Sequence, residues 1–301
     1  MNLLELFDVH NLARELADTT RETYHYQARA WLAWCDAHGI EPHGATRRNI
    51  ELHRDELKAR NLSEAARSLR IIVVRAFYEM LIENEQISSN PAQRVRSRRT
   101  RKTGHKALSK TQLKTLFLSL ENAPRRGYHS DEARLRDRAI VALMALHGLR
   151  RIECQRLDWA DLDEKSAPQI RVLGKGGHVR VVYLRADTLE FLHEYRNALK
   201  VAELPVNGAL FVSLRRETRG HRLTRDAIAA AIEKRLKAAC LREKGVLCHA
   251  LRHTFGTLAV AGGASIEHVR DAMGHSNLTT TSIYVRAVER IENNPALHIE
   301  L

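Results

Sequence analysis

Apolar residues recur at helical spacing through the first third of the chain, and the pattern breaks only at turn-forming residues. Tyr24, Ala28, Trp31, Leu32 and Cys35 share one helical face, with Thr20 as the expected cap and Gly39 as the end. After the turn GIEPHGAT, Thr46 is placed to cap a helix carrying Ile50, His53 and Leu57. Ser63, with Glu64 in its first turn, opens a run through Leu69, Ile72, Val73, Ala76, Phe77, Met80 and Leu81. The stretch from Met1 to about Gln86 thus predicts a bundle of about four helices. Asn90-Pro91 stops the last one, because proline disfavours helix in the residue before it.

Beyond this point the pattern becomes mixed. Ser109 is an N-cap ahead of Leu113, Leu116 and Phe117. DEARLRDRAIVALMALHG predicts a helix with Leu135, Ala139, Ala142, Leu143 and Leu146 inward and Gly148 at its end. LDWADLD and PQIRVLGKGGHVRVVYL read as short strands, with GKGG as a hairpin turn flanked by Ile170, Val172, Val179 and Val181. Amphipathic helices follow over Asp187 to Ala202 and, after the extended run ALFVSL, in LTRDAIAAAIEKRLKAA with Thr224 as cap. HALRHTFGTLAVAGG is a helix ending on two glycines, Ser265 caps IEHVRDAMG, and TTTSIYVRAV carries Tyr284. Val288, Ile291, Leu297 and Ile299 give the tail an apolar face. The fold class is mainly α with a small β-sheet.

The 301 residues suffice for two domains. Lys and Arg number 49 against 36 Asp and Glu, a net charge of +13 that points to a polyanion, nucleic acid ahead of anionic membrane. The run QRVRSRRTRKTGHK has no apolar periodicity and suits either a solvated linker or a strand crossing a DNA backbone. It divides the chain into residues 1–95, a basic linker 96–106 and residues 107–301, and offers Arg94, Arg96, Arg98, Arg99, Arg101 and Lys102 as phosphate contacts. No run is apolar enough to span a membrane and MNLLELFDVH lacks a signal pattern, so the chain reads as cytoplasmic and nucleoid-associated. Cys35, Cys154, Cys240 and Cys248 form no CxxC pair and read as buried thiols. No HExxH occurs, and His249 and His253 have no third ligand nearby in sequence, so no metal is expected. The GKGG turn lacks the GxxxxGK[ST] pattern of a phosphate loop. Aromatic residues, at 5%, are too few for a base-stacking single-strand binder.

The chemistry gathers near the C-terminus. His249 and Arg252 stand one turn apart on a helix, Gly-His at His275 opens a loop, and Tyr284 follows. Arg150 in HGLRRIE and Lys175 in LGKGGHVR precede them. In this order the motifs resemble the tyrosine recombinase family, the phage-integrase and Xer-like enzymes. They span the C-terminal two-thirds of the chain, and the N-terminal third fits more loosely. The resemblance implies an N-terminal helical core-binding (SAM-like) domain and a C-terminal mixed α/β catalytic domain, clamped around duplex DNA. It makes Arg150, directly after Gly-Leu, the active-site arginine rather than Arg151. With Arg252 and His275, Arg150 would hold the non-bridging phosphate oxygens, planar guanidinium forks being suited to this. Tyr284 would be the nucleophile, His249 its base, Lys175 the acid on the departing 5′ oxygen, and Glu153 an orienting group. A 3′-phosphotyrosyl link and a Holliday junction follow, without ATP, metal or other cofactor. The resemblance also implies a homo-tetramer on a specific duplex site, with the tail on a neighbouring protomer or on its own domain, and leaves open an accessory protein. The competing readings are a type IB topoisomerase, a non-catalytic DNA-binding protein on the same fold, and a metal-dependent nuclease, which would need clustered carboxylates.

Overall fold

The computed structural model describes residues 2–95, 106–122, 130–165, 167–243, 246–275, 281–285 and 288, without the side chain of Lys175. The chain forms two compact units, Met1–Thr103 and Gly104–Leu301.

The first unit consists of helices α1 (Leu3–Ala13), α2 (Asp18–Ala37), α3 (Arg47–Ala59) and α4 (Glu64–Glu83). Thr46 and Ser63 cap α3 and α4, each accepting a hydrogen bond from a first-turn backbone N–H. Thr20 is not a cap: α2 starts at Asp18, whose carboxylate accepts from Arg21 and suits the positive end of the helix dipole. Phe7, Trp31, Ile71, Phe77 and Tyr78 fill the core. Ile72, expected inward, is 44% exposed, because the inward arc of α4 runs through its neighbours Ile71, Val73 and Val74. His53 is buried edge-on against the stacked pair Trp31 and Trp34, and this burial pulls its pKa down to about 4.

The second unit is built around α6 (Asp131–Ala145), buried from Leu135 to Ala145. Around it pack α5 (Lys110–Glu121), α8 (Ala186–Val201), α9 (Arg225–Ala238) and α10 (Cys248–Ala261). Ser109 and Thr224 cap α5 and α9 as expected. Inside this core Asp137 accepts from Arg136 through one oxygen and from Arg235 of α9 through the other, at 2.8 Å each, with all three side chains at most 5% exposed. Arg136 also bonds the Val212 carbonyl at 3.2 Å, tying α6 to the 210–212 segment.

The sheet is antiparallel, in the order β1 (Leu162–Asp163), β2 (Gln169–Leu173), β3 (Val179–Tyr183). The middle of LDWADLD is a short turn of 3-10 helix at Trp159–Asp161, and only Leu162–Asp163 is strand. ALFVSL makes only the isolated bridges Asp158↔Ala209 and Val212↔Arg222 with the chain around it. Ile170 and Val172 are buried, but their cross-strand partners are Val182 and Arg180, and Val179 and Val181 point outward, 63% and 46% exposed. Cys35, Cys154 and Cys248 are buried, whereas Cys240 is exposed, just past the end of α9. Two short helices, α7 (Arg151–Arg156) and α11 (Ile266–Met273, capped by Ser265), complete the frame of the site. Among the described residues no helix is long and apolar enough to cross a membrane.

Candidate active site

The site is organised by a buried carboxylate. α7 has no Ser, Thr, Asp or Asn at its N-cap; Arg150 occupies that position and Glu153 reaches back to bond its backbone N–H at 2.7 Å. The same carboxylate accepts from the Arg150 side chain at 2.7 Å and from both Nη1 and Nη2 of Arg180 at 2.9 Å, and lies 4.0 Å from Arg252. Burial opposes its ionisation, but the Arg180 fork and the Arg150 bonds override that and pull its pKa down to about 2. Glu153 is therefore a permanent anion at neutral pH, fitted to orient guanidinium groups and not to exchange protons.

The arginines around it face one helix end. α11 finishes at Met273 with Gly274 in left-handed conformation, leaving its last carbonyls without helical partners. Arg180 Nε donates to the Ala272 carbonyl at 2.9 Å, Arg252 Nη2 to Met273 at 2.7 Å and Arg150 Nη2 to Gly274 at 2.9 Å. Arg252 also donates to the Gly148 carbonyl, at the end of the turn that follows α6. His275 comes next and hydrogen-bonds Thr281 Oγ1 at 2.9 Å. Burial, then Arg252, Arg150 and Arg180, pull its imidazole down to about 4, so it is neutral at physiological pH.

α10 carries His249, Arg252, His253 and Gly256. Tyr284 lies in the helical stretch 281–285, 2% exposed, against Val269 and Met273 of α11. Its hydroxyl is 3.0 Å from His253 Nδ1, and its ring lies over Gly256. The exposed His249 stands one turn before His253, ring centroids 6.4 Å apart. Burial raises the Tyr284 phenol to about 12, against the pull of Arg252 and Arg150. Arg150, Glu153, Arg252, His275 and Tyr284 thus meet in one cluster. Lys175 occupies the hairpin turn Lys175–Gly177, but its side chain is outside the described residues. Arg94 lines a cleft of about 510 Å³ in the first unit together with Arg47 and Arg54. Arg96, Arg98, Arg99, Arg101 and Lys102 fall outside the described residues.

Comparison with known proteins places this geometry. Residues 106–290 match the model of the phage integrase family, and residues 5–85 that of the phage integrase N-terminal SAM-like domain. The chain belongs to the phage integrase family. It is 33% identical over 220 residues to tyrosine recombinase XerC of Actinobacillus pleuropneumoniae, covering 72% of this chain and 66% of the relative. To tyrosine recombinase XerD of Bifidobacterium longum it is 27% identical over 293 residues, covering 94% and 91%. The fold is shared with XerH recombinase bound to its difH substrate (TM-score 0.69, 21% identity, 82% of this chain and 71% of that one). It is also shared with lambda integrase in a tetramer on a Holliday junction (TM-score 0.70, 17% identity, 94% and 76%).

Within this tyrosine recombinase, three residues of the cluster escape a reading of motifs. Arg180 looks like an ordinary strand arginine; the one signal was its alternation with Val179 and Val181, which turns it inward if they face out. In the sequence His253 is legible only as a candidate metal ligand, and Gly256 gives no signal at all. A Cβ on Gly256 would lie 2.6–2.7 Å from three atoms of the Tyr284 ring. Gly256→Ala is therefore expected to dislodge the tyrosine from His253 and bring its phenol down from about 12 towards its ordinary value. Carbon-13 NMR of labelled tyrosine across alkaline pH would show one resonance titrating earlier; an unchanged titration would mean the ring does not rest on Gly256.

Acid should weaken the fold. His53, His147 and His275 have folded pKa values near 4 against 6.5 for the free side chain, all chiefly because burial disfavours the cation. The unfolded chain takes up these protons first, so their contribution is intact above pH 6.5 and is lost as pH falls towards 4. Glu153, at about 2 folded against 4.5, adds a loss in the same direction at lower pH. The urea midpoint is expected to drop between neutral pH and about pH 5; a constant or rising midpoint would contradict the burial of these groups.

Proposed function

We propose that this chain is a site-specific DNA recombinase that cuts and rejoins duplex DNA through a 3′-phosphotyrosyl intermediate. The observation that carries the reading is the convergence of Arg150, Arg252 and His275 with Tyr284 around one buried carboxylate. A phosphodiester repels nucleophiles and gains charge in the transition state, so fixed cationic donors are what the reaction requires. Arg150 and Arg252 hold the non-bridging oxygens, and the neutral His275 adds a hydrogen bond. Glu153 keeps the arginines in register. Tyr284 attacks phosphorus and gives up its proton to His249 as the base, while His253, whose Nδ1 lies 3.0 Å from the hydroxyl, orients it. Lys175 protonates the leaving 5′ oxygen. A 5′ hydroxyl from another strand then displaces the tyrosine, and exchange in pairs passes through a Holliday junction.

The working form on DNA is a homo-tetramer in the cytoplasm, with the C-terminal tail of each protomer on its neighbour. A cleft of about 700 Å³ on the second unit supports this, with Phe117, Phe255 and Leu258 in its lining and Lys110, Lys114 and Arg185 also bordering it. Its two lysines complement Glu289, Glu292 and Glu300 of the tail, Arg185 being paired with Asp187 in the same lining. The basic cleft at Arg47, Arg54 and Arg94 provides phosphate contacts on the first unit.

The test uses duplexes drawn from the DNA around the protein's own gene, incubated with the full chain in EDTA and then denatured. Protein covalently attached to DNA supports the reading, and sequencing the attached strand identifies the site. Binding without attachment would favour the non-catalytic alternative, and cleavage that needs a divalent metal would favour a nuclease.

A further inference from the structure

We propose that Arg180 is a positioning residue of the active site: it fastens Glu153 and the end of α11, and through them His275, to the strand that follows the Lys175 turn. The inference rests on the recombinase reading for its functional consequence, and on geometry alone for its structural part.

Three successive carbonyls end α11, and three arginines from three different elements each take one of them. Arg180 of β3 takes Ala272, Arg252 of α10 takes Met273, and Arg150 at the start of α7 takes Gly274. The negative end of a helix dipole favours such cations. Glu153 gathers the same three side chains from the other side. Arg150 and Arg252 are assigned to the phosphate. Arg180 is differently employed: its Nη1 and Nη2 span the carboxylate and its Nε holds the helix end, all at 2.9 Å. Its side chain is 15% exposed and sits on the inward face of β3 opposite the buried Val172. The fit against α11 is close, since a Cβ on Gly274 would meet the Arg180 guanidinium at 3.0 Å. Only a planar fork can bond two carboxylate oxygens and a carbonyl together; an ammonium keeps the charge and loses the arrangement. β3 begins directly after the hairpin turn, so one side chain sets the hairpin, the carboxylate and the His275 end of α11 in a common register.

The experiment compares the full chain with Arg180→Lys and Arg180→Gln. Hydrogen exchange of backbone amides in residues 266–275 is measured alongside melting temperature. Covalent attachment is timed at saturating concentrations of a duplex carrying the site recovered from wild-type adducts. Both variants are expected to exchange at least about 10-fold faster over this segment, because the helix end has lost its anchor. Attachment is expected to slow about 100-fold with DNA affinity unchanged, as for a small displacement of reacting groups, and lysine should not rescue it. Normal exchange and normal attachment in Arg180→Lys overturns the proposal, since charge alone would then suffice. Faster exchange with normal attachment also overturns it, reducing Arg180 to a structural contact. Wild-type protein that never attaches to DNA, with faster exchange in the variants, overturns the recombinase reading and leaves Arg180 as the anchor of α11.

Discussion

Tyr284→Phe is expected to abolish covalent attachment to DNA while leaving DNA binding and the fold intact. The substitution removes one oxygen. The ring remains over Gly256 and against Val269 and Met273, so the packing that buries it is unchanged. The hydroxyl's hydrogen bond to His253 is lost, at a cost of about 1 kcal/mol. Arg150, Arg252, Glu153 and His275 keep their hydrogen bonds to one another, to the end of α11 and to Thr281, none of which passes through the phenol. Phosphate binding therefore survives and only the attacking atom is missing. The check is a denaturing gel after incubation with the site-bearing duplex, together with a binding curve for the same duplex. A covalent band in the phenylalanine variant would place the nucleophile elsewhere. Loss of binding would mean that the hydroxyl holds the site in shape.

The largest effect on stability is expected at Asp137. Its carboxylate separates two buried guanidinium groups, Arg136 and Arg235, and is an ionic link between α6 and α9. Asp137→Asn leaves those two cations inside the core with only an amide between them. Breaking a buried ionic group in this way costs roughly 3–5 kcal/mol, because the surviving charges cannot reach water. For a unit of this size that corresponds to a fall of about 10 °C in melting temperature. Replacing all three residues by apolar ones of similar volume should recover most of the loss, since an uncharged core incurs no desolvation cost. Calorimetry of the single and triple variants tests both statements; a single variant as stable as the native chain would show that water reaches Asp137. Leu251 and Ala250 of α10 belong to the same core, so α10 would loosen with it.

The two predictions differ in how far the sequence alone could have led to them. Tyr284 stood out because a chemical group followed a recognisable order of motifs. Asp137 did not, since a carboxylate within DEARLRDRAIVALMALHG looks like the polar side of an amphipathic helix. From Leu135 onward α6 proves to be enclosed on every side, and Arg136 and Asp137 had to find partners in the interior. The same enclosure explains the outward turn of Val179 and Val181. Once Glu153 is buried, the strand beside it must present a cation, and Arg180 takes the inward position that apolar alternation would have given to a valine.

What the sequence determined by itself is local. Caps at Thr46, Ser63, Ser109, Thr224 and Ser265 lie where side chains bond backbone N–H groups three residues away, a relation written in consecutive letters. The shared face of His249 and Arg252 on α10 is of the same kind. The tertiary structure decided which groups meet. Arg150 bonds a carbonyl 124 residues away, and Arg180 one 92 residues away. Tyr284 finds His253 rather than His249 because α11 and the 281–285 segment seat its ring at Gly256, one turn further along α10. Such contacts depend on how buried surfaces pack over the whole unit, and no window of consecutive residues contains that information.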